Sequence, residues 1–315
     1  MIRIYAVLLV LFSEFARGQD VHYSQFDQTK SLTNPALIFN QAEDYEIQLH
    51  RRAQWDSVTT PFNTFSISFN AKSIYKKLAA GTTILNDVSG DSDFSTKGLI
   101  FSLAKPLFNL KENVFSIGLQ ASFYQRTINY DDLIFLATED IQNSRVNFLD
   151  VGLGCSNYQK LTKKSSWLIG ASAYHLNRPR QSFYLDRQVL LLPKYIIHST
   201  YYTNLNSRVD LSPAFYFSSQ SQDKELIIGS GLTYKLSNQV NLRSGLYSRI
   251  KDAFFVTLGM HKANFEAMIA YDVNTSTLAN ASNNMGAFEF SIRYCWSVFK
   301  AVSYTHLTLP TKRIV

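Results

Sequence analysis

The chain alternates. In Phe288-Glu289-Phe290-Ser291-Ile292-Arg293-Tyr294-Cys295-Trp296, bulky apolar residues hold one parity and mostly polar ones the other. Successive side chains of a β-strand point to opposite faces, so this stretch has one aromatic face and one polar face. The pattern recurs. Phe65, Ile67 and Phe69 interleave with Ser66, Ser68 and Asn70; Phe115, Ile117, Leu119, Ala121 and Phe123 interleave with Ser116, Gly118, Gln120 and Ser122. Phe265, Ala267, Ile269 and Tyr271 interleave with Glu266, Met268, Ala270 and Asp272. Period two dominates, and no stretch carries a helical period.

About fourteen strands follow, at roughly 46–54, 63–72, 77–86, 96–105, 113–126, 146–159, 165–176, 195–205, 208–219, 225–236, 239–248, 253–262, 264–272 and 286–296. Their connections sort by parity. Segments 73–76, 106–112, 160–164, 206–207, 237–238 and residue 263 are short, whereas 55–62, 87–95, 127–145, 177–194 and 273–285 fall in the alternate set. A soluble sandwich also alternates but gives no reason for such sorting. Short periplasmic turns, long extracellular loops and an even strand number are the marks of an outer-membrane barrel, which must close because an open edge in lipid leaves backbone groups unpaired. The expected fold is all-β: a transmembrane antiparallel up-and-down β-barrel of about fourteen strands, with 286–296 closing on 46–54.

Composition agrees. Hydrophobic residues make up 46% and charged residues 17%, with 18 Tyr and 23 Phe, an aromatic content suited to a membrane interface. Mean hydropathy is -0.10. Past the N-terminus no apolar run approaches the ~20 residues that a spanning helix needs. Of the net charge of +7, residues 1–18 supply +1 and the last thirteen +2, leaving +4 with no dense basic cluster. Nucleic-acid binding is therefore not supported.

The ends read differently from the middle. Residues 1–18 resemble a secretory signal, with Arg3, the apolar run Ile4–Phe12 and Ala16-Arg17-Gly18 before Gln19. Residues 19–45 form an N-terminal periplasmic arm, extended rather than paired, lying at the periplasmic end or entering the lumen. The barrel occupies 46–300. Residues 301–315 break the alternation and resemble a translated sequencing adapter, so they and His306 are set aside.

Candidate chemistry is sparse. The histidines, His22, His50, His175, His198, His261 and His306, have no metal-ligand spacing, and no cofactor or metal is expected. Asp87, Asp91 and Asp93 lie together in a loop that reads as a solvated turn, with Ca²⁺ ligation as the alternative. Gly229-Ser230-Gly231 and Gly152-Leu153-Gly154 sit inside strands with no following helix and are structural. These glycines, with Gly118, Gly170, Gly245 and Gly259, fall mostly on the lumen parity. His175 and His261 have nearby hydroxyls but no specified triad, so no enzyme is expected. Cys155 and Cys295 are assigned to opposite sides of the wall as free thiols. Polar lumen candidates are Gln120, Glu266, Asp272, Glu289 and Arg293; such charges either plug and stiffen a barrel or set the ion preference of a pore.

Several stretches resemble the PorP/SprF family of Bacteroidota outer-membrane proteins. They are Gln19-Asp20-Val21-His22-Tyr23-Ser24-Gln25-Phe26, Asn34-Pro35-Ala36, Arg52-Ala53-Gln54-Trp55 followed by Pro61 and Thr64, Gly170–Leu176, Tyr195–His198, Tyr271–Leu278 and Gly286–Tyr294. Ala287-Phe288 stands where that family usually has glycine or histidine. The resemblance implies a component of type IX secretion and gliding motility, needed for export or surface attachment of cargo such as large adhesins. It implies ring lipoproteins and peptidoglycan-linked factors as partners beside outer-membrane lipid, and no catalytic residue. Tyr23, Phe26, Asn34 and Pro35 are the candidate partner-binding residues of the arm. A small-solute porin is the alternative.

Overall fold

The computed structural model describes residues 20–54, 62–90, 94–110, 112–130, 144–183, 189–275 and 285–298. The signal-like segment, the adapter-like tail, Asp91, Asp93 and His306 lie outside the described residues. Fourteen strands form one closed antiparallel barrel in chain order: β1 (Tyr45–Gln54), β2 (Phe62–Tyr75), β3 (Leu78–Ser89), β4 (Phe94–Leu110), β5 (Asn113–Thr127), β6 (Arg145–Lys160), β7 (Ser165–Tyr174), β8 (Lys194–Asn204), β9 (Val209–Gln220), β10 (Asp223–Lys235), β11 (Val240–Arg249), β12 (Ala253–Lys262), β13 (Phe265–Asn274) and β14 (Met285–Trp296).

Closure joins the ends, with Tyr45 opposite Trp296 and Gln54 opposite Ala287. Each strand therefore has a neighbour on both sides, and the edge that lipid would not tolerate is removed. The alternation is borne out along the wall. Leu99, Phe101 and Leu103 of β4 are exposed on the outside, while Ile100, Ser102 and Ala104 between them are buried within. No described helix is long and apolar enough to cross a membrane.

The two rims differ. One carries the short turns 76–77, 161–164, 205–208, 236–239 and 263–264, together with the start of β1 and the end of β14. Lys76 and Lys77 take φ of 43° and 64°, the left-handed pair that lets a two-residue turn follow the strand twist. The other rim carries the long connections, including 128–144, 175–193 and 275–284.

Three expectations need correction. β4 continues to Leu110 instead of ending at 105, crossing Pro106 by a register shift between Pro106 and Phe108. Proline removes one ladder donor, and the bulge absorbs the loss. β7 ends at Tyr174 because His175 adopts φ 56°, which a strand cannot continue. The arm is not simply extended. It holds one turn of helix, α1 (Lys30–Thr33), and a 3-10 helix over Pro35–Asn40. Asn34 Oδ1 accepts from Ala36 N at 2.9 Å, and Pro35 pre-sets φ at the first helical position. Segments this short show no readable period.

Candidate functional site: an arm locked inside the barrel

The arm runs through the barrel from rim to rim. At the short-turn rim Asp44 N donates to Ser297 Oγ at 3.1 Å. At the long-loop rim Asp20 Oδ2 lies 2.5 Å from His175 Nε2. Between them the arm is almost wholly buried against the polar inner wall: Ser24, Gln25, Asn34, Ala36 and Ile38 have essentially no exposed surface.

The ionic contact lies toward the long-loop end of the bore. β1 places Glu46, Gln48, His50 and Arg52 on one face, and the last two meet Asp272 of β13 and Glu289 of β14. Glu289 accepts from Ser24 N at 2.6 Å and Gln25 N at 2.9 Å, and pairs with Arg52 and with His50 Nε2 at 3.2 Å. The Ser24 hydroxyl donates to the Asp272 carboxylate, 2.7 and 2.8 Å from its two oxygens. It accepts from Arg52 Nη1 at 2.8 Å and Arg249 Nη2 at 2.7 Å. Arg249 also reaches Asp272 Oδ2 at 3.1 Å and Glu225 Oε1 at 2.8 Å. The two guanidinium groups sit among the carboxylates of Asp272, Glu289 and Glu225, and the arm adds hydrogen bonds from Ser24 and the Gln25 amide. Buried charges are tolerated only when paired and bonded in this way.

Below it, Asn34 fastens the arm to backbone that a strand would otherwise leave facing the lumen. Its Nδ2 donates to Cys155 O at 2.8 Å and Ala171 O at 3.2 Å, and lies 3.1 Å from His198 Nε2. Such close approach needs a wall without side chains. A Cβ on Gly118 would run into the backbone of Pro35 and Ala36, and one on Gly154 into Asn34. Ser172 Oγ donates to Thr33 O at 2.7 Å, and Phe26 packs on Tyr216 with ring centroids 5.1 Å apart. Tyr23 donates to Ser66 Oγ at 3.3 Å and meets the His50 ring edge-on at 4.5 Å.

The sequence candidates divide in two. Asp272 and Glu289 hold Ser24 directly, and Gln120 Nε2 donates to Ser31 O at 2.9 Å. Glu266 and Arg293 form a second cluster nearer the short-turn rim. Arg293 Nη2 meets Glu266 at 2.7 Å and Arg243 Nη1 meets it at 2.6 Å; Arg243 then reaches Asp27 of the arm at 3.3 Å. Tyr23, Phe26, Asn34 and Pro35 are all buried against the inner wall. Asp87 faces the lumen and accepts from Thr64 Oγ1 at 2.6 Å, and no group of three or more metal-binding side chains occurs among the described residues. Both cysteines are free, with Cys295 Sγ 3.8 Å from Glu46 Oε2. Sequence reading missed Ser24, His50, Arg52, Arg243 and Arg249 as lumen groups. The alternation of Glu46, Gln48, His50 and Arg52 with Ile47 and Leu49 was a usable signal for His50 and Arg52; Ser24 carries none.

At the outer end of the arm, burial opposes charge on both partners of the latch, yet charge wins. The His175 pKa is pulled down by burial but raised to about 9 by Asp20 and Asp150, whose Oδ1 lies 3.0 Å from Nδ1. Burial pushes Asp20 up, but His175, Lys194 and Arg126 hold it well below the usual carboxylate range. Burial and the nearby Arg52 and Arg249 keep His22 neutral. Above this latch opens a vestibule of about 860 Å³, lined by Arg126, His175, Lys194, Glu225, Phe94 and Phe148 among others. A smaller cavity of about 480 Å³ opens at the short-turn rim beside Lys163, Arg243 and Glu266.

The shape is shared with solved barrels. The toluene transporter TbuX of Ralstonia pickettii superposes with a TM-score of 0.54 at 11% identity, over 85% of this chain and 92% of its own. The monoaromatic hydrocarbon channel CymD gives 0.52 at 9% identity, over 86% and 93%. At such identities the likeness concerns the fold. No curated protein sequence matches. A family model does match, that of the type IX secretion system membrane protein PorP/SprF, over residues 16–294. With a closed outer-membrane barrel and a match over most of its length, the chain belongs to the PorP/SprF family of type IX secretion membrane proteins.

Proposed function

We propose that this protein is a non-enzymatic outer-membrane station of the type IX secretion machinery, whose arm-filled barrel is needed to export specific cargo, such as large adhesins, or attach it at the surface. The observation that carries this reading is the arm itself. An open diffusion porin keeps a water-filled bore, whereas here a buried segment occupies the lumen and pairs with its charged belt, which suits a docking barrel with a vestibule on its long-loop side. In this reading the vestibule and the long connections meet cargo. The short-turn rim meets ring lipoproteins and peptidoglycan-linked factors. Residues 1–18 serve as the export signal, and gliding is the process served.

The test is deletion of residues 20–40 in cells that secrete a measurable cargo. Cargo export or surface attachment is expected to fail while the variant remains a heat-modifiable barrel in the outer membrane. Normal export by a correctly inserted variant sinks the reading.

A further inference from the structure

One face of the outer wall gathers several cations and amides near the long-loop rim. On β1, β2, β4, β5 and β6 the outward apolar run stops short of the long-loop rim, and the next outward side chain is polar: Arg51 beyond Leu49, Asn63 beyond Phe65, Lys97 beyond Leu99, Gln125 beyond Phe123 and Asn147 beyond Leu149. Arg145 follows one outward position further. Each apolar neighbour is 37–67% exposed, as a lipid-facing side chain is when no lipid is present.

The register aligns Arg51, Phe65, Asn86, Lys97, Gln125 and Asn147 in one row across β1 to β6, polar on every strand except β2. Lys97 stands opposite Gln125 and Gln125 opposite Asn147. Neighbouring strands lie about 4.8 Å apart, so Lys97 and Asn147 are roughly 10 Å apart, with Arg145 about 7 Å further along β6. Arg51 Nη2 donates to Asn63 Oδ1 at 3.0 Å and Gln125 Nε2 to Asn147 Oδ1 at 3.0 Å, which organises the amides around the cations. Among the described residues no Asp or Glu of β1 to β6 points outward beside them. On the opposite side the outer wall is mixed near the same rim, with Ser219 and Lys224 standing outward beyond Phe217 and Leu226 and no second cation beside Lys224 on β8 or β9. Tyr195, Phe254, Val273 and Phe288 are apolar and exposed there.

The geometry points to a binding patch for the phosphate-bearing headgroup of an outer-leaflet lipid on the β1–β6 wall, with Arg51, Lys97 and Arg145 as its cations. The apolar row directly below commits the occupant to a lipid: acyl chains cover Leu99, Phe123 and Leu149 while the headgroup phosphates meet the cations and its hydroxyls meet Asn63, Gln125 and Asn147. Cations against phosphate make short, charge-assisted hydrogen bonds, and each strengthens attraction to an anionic leaflet. The patch is separate from the arm and the vestibule, so it stands whether or not the proposed cargo role does.

The experiment compares the full-length protein with the variant Arg51→Ser/Lys97→Ser/Arg145→Ser in mild detergent. Bound lipid is read by native mass spectrometry and by the shift in Tm on adding diphosphorylated lipid A, dephosphorylated lipid A or inorganic phosphate. Each cation contributes roughly fivefold to anionic lipid affinity, so the triple variant is expected to lose on the order of 100-fold for lipid A and the single Lys97→Gln about fivefold. Dephosphorylated lipid A, which keeps the acyl and hydroxyl contacts, is expected to give a much smaller shift that is the same in both proteins, and inorganic phosphate none. Equal lipid A affinity in wild type and variants overturns the proposal, as does a shift with the dephosphorylated lipid or with phosphate alone as large as that with diphosphorylated lipid A. Heat-modifiability shows that each variant is folded; should the triple variant fail it, Lys97→Gln decides.

Discussion

The latch between Asp20 and His175 is where a single residue's chemistry is most exposed to test. His175 has its folded pKa raised to about 9 from an ordinary 6.5, so its stabilising contribution is complete below pH 6.5 and is lost as pH rises through about 9. Asp20 has its pKa depressed from 3.8, so its contribution is present above that value and lost on strong acidification. The outer end of the arm is therefore expected to be held most firmly between about pH 4 and 6.5. Hydrogen exchange at residues 20–25 is expected to be slow at pH 6 and, after correction for intrinsic rates, markedly faster relative to the barrel at pH 10. His175→Gln should abolish that difference. Deeper in, Glu289→Ala leaves the buried Arg52 short of a carboxylate and both the Ser24 and Gln25 amides without an acceptor. Breaking one partner of such a pair costs about 3–5 kcal/mol, enough to populate an undocked arm. Limited proteolysis at residues 20–30 is the measurement, and an arm as resistant as wild type refutes the role of the network.

At the scale of the element, the arm and its glycine-lined bed form one unit. Gly118, Gly154 and Gly170 lie on three neighbouring strands, and each leaves room that Asn34, Pro35 or Ala36 occupies. Gly118→Val is expected to displace residues 33–38, raising their exchange rates by orders of magnitude while strand β5, already buried on that face, stays paired. Unchanged exchange in this segment would mean that the bed yields instead of the arm. The same unit explains what sequence reading could and could not recover. Strand positions were legible because a wall with lipid on one side and polar groups on the other enforces period two over ten residues or more. The arm's short helical turns, Asn34's contacts and the Ser24 network were illegible. They depend on residues more than a hundred positions apart meeting, such as Asn34 with Cys155 and Ser24 with Glu289.

For the whole molecule, filling the bore has an electrical consequence. Intact protein in a planar bilayer is expected to be nearly silent. Deletion of residues 20–40 should open a channel bordered by Arg52, Arg249, Asp272 and Glu289, with conductance that falls when Arg52 and Arg249 are replaced by Gln. Large steady conductance of the intact protein would favour the small-solute porin instead.

What the sequence determined by itself was the membrane barrel, its strand number, its asymmetric rims and, on the clearly alternating strands, which parity faces inward. Those follow from local rules applied strand by strand: alternation, turn length and the ban on open edges in lipid. What only the tertiary structure decided was the fate of the lumen. Asp272, Glu289 and Gln120 could equally have lined a pore, since a polar inner face is the same in either case. They became a lock because the arm threads between them and supplies the hydrogen bonds they need, and that pairing is set by closure of the barrel around the arm rather than by any local pattern in the chain.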